Sequence, residues 1–441
     1  MERLALMPKY DDYVDSGVEW LGRVPASWEL TRLGTRFNER RSKVSDIDYP
    51  ALSVTKKGVL PQLDNAAKTK DGDNRKLVKE GDFVINSRSD RKGSSGVSDR
   101  DGSVSLINIV LKPKGIHPKF SEHLLKSHAF IEEYYRVGRG IVADLWTTRY
   151  DEMRTIAISV PSLEEQTRIA NFLDKKTTQI DEAIAIKEQQ ISLLKERKQI
   201  IIQQAVTQGL DPNVPMKESG VDWIGKIPAH WDTLKFKYSM RIKARLGWKG
   251  LKAHEYVEES DFGFLSTPNI KHKRIKYEDA YFITERRYFE SPEIMLENGD
   301  VLLVKDGSTL GISNVVEDLP MKCTVNSSIA VLKLFNTEEV KPKYLDYFIK
   351  SESLQRIISI MKDGMGVPHL FQSDIKNFVH PLPPIGEQLE IIEHVKMVEE
   401  SLDSVVLDLE KQIENIKEYK TTLINSAVTG KIKITPEMVE Q

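Results

Sequence analysis

Apolar positions in two distant stretches follow the same alternation of three- and four-residue steps. The first stretch has Ile169, Leu173, Ile180, Ile184, Ile191, Leu194, Ile201 and Ala205; the second has Ile391, Val395, Leu402, Val406, Ile413, Ile416, Leu423 and Ala427. Gaps of seven occur where polar residues intervene. The spacing predicts two long helices, each carrying a coiled-coil seam. Stretches 161–207 and 383–429 align without a gap at a shift of 222. Forty-odd residues give each helix a length of roughly 60–65 Å. Lys187 interrupts the first seam where the second has Leu409, and Lys198 and Lys420 share one seam position. These two lysines either snorkel their charge outward, set the register, or meet an acidic partner.

A shorter element also recurs. Residues 17–28 (GVEWLGRVPASW) return as 220–231 (GVDWIGKIPAHW), a shift of 203. Its Gly and Pro residues mark turns, and Trp20, Trp28, Trp223 and Trp231 are expected to be packing anchors. The intervening regions, about 30–160 and 233–382, diverge more than their flanks. Short apolar runs predict strands at 82–85, 104–111, 156–160, 301–304 and 329–334, and short helices fall near 121–135 and 343–361. The expected fold is α+β: two similar globules separated by two long antiparallel coiled-coil helices, as a pseudo-two-fold internal repeat. The expected divisions are 1–160 (first globule with its turn element), 161–208 (central helix), 209–382 (second globule with its turn element) and 383–441 (distal helix and tail). If the second globule is compact, the second helix must start at the end where the first one stops. Antiparallel helices follow, and the end of the second helix, near Gly430, should lie beside residues 17–28.

Composition narrows the function classes. A single cysteine, Cys323, excludes a disulfide framework and a Cys-based zinc site, suits a cytoplasmic protein, and reads as a small core residue. The first residues hold too short an apolar run before Pro8 for a secretory signal, and no run is long enough to span a membrane. The net charge of −2 is not that of a typical nucleic-acid binder. Phosphate-binding loops, H-E-x-x-H and G-x-S-x-G are absent from the sequence, and His117, His123 and His128 are not spaced as metal ligands. No catalytic and no metal residue is predicted.

Charge distribution is more informative than its sum. Residues 235–252 (KFKYSMRIKARLGWKGLK) hold seven Lys/Arg and no acid, with Phe236, Tyr238 and Trp248 interleaved. Lys271, Lys273 and Arg274 follow. In the first globule Arg36, Arg40 and Arg41 cluster, and the loop after strand 82–85 carries Asn86, Arg88, Arg91 and Lys92. Lys305, Ser308 and Thr309 occupy the corresponding loop of the second globule. Such loops can present donors to phosphates and base edges. The candidate DNA-binding residues are these, with Lys243, Arg245, Trp248 and Lys249. Between 387 and 410, eight acids stand against Lys396 alone. Glu387, Glu390, Glu393, Glu399 and Glu400 are either a solvated face or a surface for a protein partner.

The two turn elements and the two Pro-x-x-Glu-Gln helix entries, ending at Gln166 and Gln388, carry a resemblance along essentially the whole chain. The sequence resembles the specificity (S) subunit of type I restriction-modification systems. The resemblance implies two target recognition domains, each reading half of a bipartite double-stranded DNA site, with the helices setting the spacer. It implies two methyltransferase (M) subunits that bind S-adenosylmethionine and methylate adenine, and endonuclease (R) subunits that use ATP and Mg. No cofactor is expected in this chain, and it is expected to be non-catalytic. Rival readings are a coiled-coil scaffold carrying two protein-binding globules, and a nuclease fragment with scattered carboxylates.

Overall fold

A computed structural model of the chain describes residues 6–62, 72–140, 146–245, 251, 255–362 and 368–440. The chain forms two compact units, one of Met1–Glu188 with Glu410–Gln441 and one of Gln189–Leu409. Each unit combines a globule with half of each long helix, Leu163–Gln208 and Ile385–Val428.

Unit 1 is built on a four-stranded antiparallel sheet in the order Ser95–Val97, Phe83–Asn86, Asn108–Pro113, Phe37–Glu39. Unit 2 has the same sheet in the same order: Ser313–Val315, Val301–Val304, Ile329–Leu334, Met240–Lys243. The central strands, FVIN and VLLV, are buried on both faces, as the apolar runs 83–85 and 301–304 require. A two-stranded pair ties the start of each globule to its end: Glu29–Arg32 with Ala157–Val160, and Asp232–Lys235 with Val379–Leu382. Two helices follow each sheet, Pro118–Lys126 and His128–Arg136 in unit 1 and Pro342–Lys350 and Glu352–Lys362 in unit 2. Ser127 breaks the first pair, its hydroxyl donating to the Leu124 carbonyl at 2.7 Å; Ser351 does the same to Phe348 at 2.6 Å.

The expected strand 104–111 is divided. Gly102–Val104 pairs in a second, smaller sheet, a turn intervenes, and Asn108–Pro113 enters the main sheet. A stretch in which only Ser105 and Asn108 are polar conceals this switch, because the turn residues Leu106 and Ile107 are themselves apolar and exposed. The second sheets also account for the divergence of the two globules. That of unit 1 is a three-stranded antiparallel sheet, whereas that of unit 2 has four strands and a parallel pair, Phe262–Leu265 with Lys322–Val325. Cys323 lies in that pair, fully buried, with burial pushing its thiol up to about 11, so it is a core residue and not a nucleophile.

Within each unit the two long helices pack antiparallel, and the seam residues alternate with exposed ones. Lys198 does not snorkel. Its ammonium reaches Asp403 of the facing helix at 2.7 Å in unit 2, and in unit 1 Lys420 reaches Asp181 at 2.6 Å. Asp181 and Asp403 occupy one repeat position, Lys198 and Lys420 another. The same ion pair is therefore made once per unit, with the roles of the helices exchanged. A shift of either helix by one turn would separate both pairs, so they mark the register. Gly430 lies in the left-handed region and packs against Pro25 and Trp28, so the end of the second helix meets the first turn element.

His380 distinguishes the two units. Its ring is fully buried between Phe236 and Phe348, with Nδ1 2.9 Å from the Pro381 carbonyl and Nε2 3.0 Å from the Ser239 hydroxyl. The aligned residue of unit 1 is Ile158, which cannot titrate. Burial pushes the imidazole down from 6.5 to about 4. The unfolded chain therefore binds a proton at a pH where the folded chain does not. His380 leaves stability intact above pH 6.5 and withdraws it as pH falls toward 4, by roughly 3 kcal/mol in all. Unit 2 is expected to lose more stability than unit 1 over that window, and His380→Leu to remove the difference. Hydrogen exchange followed from pH 7 to 4.5 checks both expectations.

Candidate nucleic-acid interface

The Pro-x-x-Glu-Gln entries act as brackets between each long helix and its globule. Gln166 is buried; its amide donates to the Pro161 carbonyl at 2.8 Å and accepts from the His117 amide at 2.7 Å. Gln388 repeats this with Pro383 at 2.9 Å and the Lys341 amide at 2.8 Å. His117 and Lys341 are the N-cap residues of equivalent short helices. Each Gln thus aligns a long helix with the helical layer beside the main sheet. The preceding Glu grips the turn element in unit 2 and the segment just before it in unit 1. Glu165 accepts from the Tyr10 hydroxyl at 2.5 Å, and Glu387 from Trp231 Nε1 at 2.8 Å and His230 at 2.7 Å. Trp28 and Trp231 are buried, as packing anchors should be. Glu387, expected to face a partner, is instead engaged within its own unit as the acceptor for Trp231 and His230.

Each globule has a basic hollow at the same place in its fold. It lies between the outer strand of the main sheet and the short helix that precedes the last strand. In unit 1 the hollow is lined by Arg41, Lys43, Lys76 and Arg149, with Glu39 and Asp151, and Ser87 adds the first residue of the strand-exit loop. In unit 2 it is lined by Lys237, Arg241, Lys243 and Lys376, with Glu293 and the aromatic Phe335. The strand-exit loops are fixed by equivalent backbone bridges, Arg88 to Thr147 and Asp306 to His369.

The sequence-predicted residues separate into groups on this surface. Arg41, Arg88, Arg91 and Lys92 are exposed, with Arg41 beside Glu39 at 2.5 Å and Lys92 beside Glu132 at 2.7 Å. Lys243 lines the unit 2 hollow, and Ser308 and Thr309 lie on the strand-exit loop. Five expectations are corrected. Arg40 makes a bidentate contact with the buried Asp82 at 2.6 and 3.0 Å, which engages its guanidinium inside the protein. Asn86 is buried and caps its own loop, accepting from the Arg88 amide at 3.0 Å. Arg36 is held by Glu29 and by the Gly115 carbonyl at 3.2 Å. Lys305 is largely buried and paired with Asp306 at 2.8 Å. Arg245 is half-buried; burial first and then neighbouring Arg287 lower its pKa. Trp248 and Lys249 lie outside the described residues. Lys76, Arg149, Lys237, Arg241 and Lys376 were not among the candidates. Lys237 and Arg241 belong to the basic run 235–252, whereas Lys76, Arg149 and Lys376 have no local signal and are gathered by the fold.

The second basic run does not share the hollow. Lys271, Lys273 and Arg274 line a separate cleft of unit 2 whose other wall is the long helix, with Glu393, Glu399, Glu400 and Asp403. Lys273 lies 3.5 Å from Asp403, and the Tyr347 hydroxyl donates to Glu399 at 3.3 Å. Burial pushes the Asp403 carboxyl up, but Lys198 and Lys273 outweigh it and hold the group below the usual carboxylate range. The acids of this helix therefore face the chain's own lysines, and Glu390 is exposed. Among the described residues no cluster of His, Cys, Asp or Glu could hold a metal ion. No helix among them is long and apolar enough to cross a membrane.

Comparison with known proteins places these features in a family. Residues 32–196 and 258–418 match the type I restriction modification DNA specificity domain. The chain is 24% identical to the type I restriction enzyme MjaVIII specificity subunit of Methanocaldococcus jannaschii, over 93% of this chain and 94% of that protein. It is 23% identical to the EcoKI specificity subunit of Escherichia coli K12, over 73% of this chain and 68% of that one. Among solved structures, a chain of a type I R-M system shares the fold with a TM-score of 0.70 at 15% identity, covering 92% of this chain and 98% of its own. The HsdS subunit from Thermoanaerobacter tengcongensis follows with a TM-score of 0.52 at 16% identity, covering 93% and 98%.

Proposed function

The chain belongs to the type I restriction modification DNA specificity family, and from that premise we propose that its two basic hollows each hold one half of a bipartite duplex site. The chain is the DNA-recognition subunit of a restriction-modification complex. The observation that carries the two-half-site reading is the recurrence of one sheet, one strand-exit loop and one basic hollow in both units, with different side chains in each. Equal scaffolds with unequal linings suit two different half-sites. Lys and Arg of the hollows contact phosphates and provide salt-dependent affinity, while the strand-exit loops approach base edges. The long helices hold the two readers in register, so weak half-site contacts add through effective concentration.

The partners in this reading are two methyltransferase subunits and endonuclease subunits. Methylation with S-adenosylmethionine and ATP- and Mg-dependent cleavage belong to them, and this chain is a non-catalytic cytoplasmic component. The outer helix faces of unit 2 support a protein partner: Leu193, Ile200, Met397 and Leu407 are 45–61% exposed on otherwise charged helices. Apolar seats of this kind are better partner contacts than the glutamates, several of which face lysines of the same unit.

Methylome sequencing of cells carrying the system should return one bipartite motif, and duplexes of that motif then test the hollows. Arg241→Gln with Lys243→Gln is expected to weaken binding about tenfold or more and to reduce the salt slope by about 2, with unchanged unfolding. Sequence-indifferent binding by the unmodified chain would favour the scaffold reading instead.

A further inference from the structure

Unit 2 carries a large apolar side chain that its core does not use. Phe371 is 62% exposed at the edge of the basic hollow, next to Gln372, which lines it. Its position is fixed from both sides. The Leu370 amide donates to the Lys305 carbonyl at 2.8 Å, and the Gly307 amide to the Pro368 carbonyl at 3.0 Å. The His369 imidazole is paired with the Asp306 carboxylate, and the Phe371 ring stands edge-on to it, centroids 4.5 Å apart at 69°. The Phe371 amide donates to Asp374 at 2.9 Å. The phenyl is thus anchored at its base by backbone hydrogen bonds and the His369 ring while most of it stays exposed.

Unit 1 fills the same need from another loop. The residue aligned with Phe371 is Arg149, a lining residue of its own hollow. The apolar side chains there are Leu106 and Ile107, 43% and 37% exposed, from the turn before the Asn108–Pro113 strand. Both hollows thus combine cationic walls with an exposed apolar group at the rim, supplied by unrelated positions.

We propose that Phe371 is a wedge that enters the base stack of the half-site read by unit 2 and unstacks one base step. The inference rests on the DNA-reading function of the hollow. Cationic walls draw in the phosphates, and the stacked bases are the apolar part of the duplex that a phenyl at the rim can reach. Insertion of an apolar side chain costs unstacking energy, which stacking on the ring offsets. The side chain would then select steps that unstack easily, a specificity that needs no hydrogen bond to a base edge.

The test uses the full chain assembled with its methyltransferase subunit and duplexes of the mapped motif. 2-Aminopurine is placed in turn at each position of both half-sites except the methylated adenine. A fluorescence rise is expected at one step, lost in Phe371→Ala and retained in Phe371→Trp. Phe371→Ala should weaken binding about tenfold, in line with the stacking of one base on an aromatic ring. Because Phe371 is exposed, the alanine variant should unfold like the parent. A rise that persists in Phe371→Ala overturns the wedge and leaves the DNA-reading function standing. An alanine variant that binds DNA normally but fails to assemble with the methyltransferase overturns it in favour of a protein contact. Failure of the unmodified assembly to bind the motif removes both readings.

Discussion

Inserting one heptad into each long helix, after Glu188 and after Leu409, is expected to abolish methylation at the site read by the unmodified complex. These positions are the boundaries between the two compact units. A heptad returns the seam to the same face, so apolar contacts are kept on both sides of the insertion. The Asp181–Lys420 and Lys198–Asp403 pairs each lie within one unit and survive intact. What changes is the length of each helix, by about 10 Å, or roughly three base pairs of duplex. Recognition should then move to a longer spacer or disappear, because the added rise of DNA also turns the second half-site around the helix axis. Methylome mapping of the insertion variant decides the matter. Methylation at the original spacing would show that the helices do not set it.

Replacing both Lys343 and Lys350 by Met is expected to destabilise unit 2 by about 3–5 kcal/mol at neutral pH, the range for a buried charge stripped of its partners. Asp346 is fully buried, and its carboxylate is held by Lys350 at 2.8 Å, Lys343 at 3.3 Å and the Ser313 hydroxyl at 2.7 Å. Burial pushes its pKa up, but the two lysines overcome this and keep it below the usual carboxylate value. Without them burial prevails and the folded-state pKa rises above the unfolded one. The folded variant then binds a proton that the unfolded chain releases, so its deficit should shrink as pH falls below neutrality. His380 contributes equally to variant and parent and cancels in the difference. Denaturant unfolding of both proteins at pH 7 and pH 5 checks the sign. A deficit that is the same at both pH values would refute the buried-charge explanation.

Much of this architecture is legible in residue order because it depends on short-range rules. The apolar seam of Ile169–Ala205 needs one helical period, and Gln166 and Gln388 advertise themselves by recurring with their prolines. The strand-exit loops follow from Gly81-Asp82 and Gly299-Asp300 before apolar runs. Legibility ends where a side chain's fate depends on a distant partner. Arg40 and Arg41 are adjacent, yet Arg40 faces the buried Asp82 and Arg41 is exposed. Lys271–Arg274 reads as a DNA-binding run until the fold sets it opposite Glu393–Asp403.

By itself, then, the sequence determined the repeat, the two long helices, the antiparallel pairing implied by a compact globule between them, and the family. Periodicity and repetition are local properties that survive any loop rearrangement. The tertiary structure alone decided which cations are exposed, which acids face the chain's own lysines, and where an exposed phenyl stands. Those outcomes depend on the proximity of groups far apart in the chain, such as Lys198 with Asp403 and Asp306 with His369. A charge acquires its role from the partner within a few ångströms, and residue order does not specify that partner.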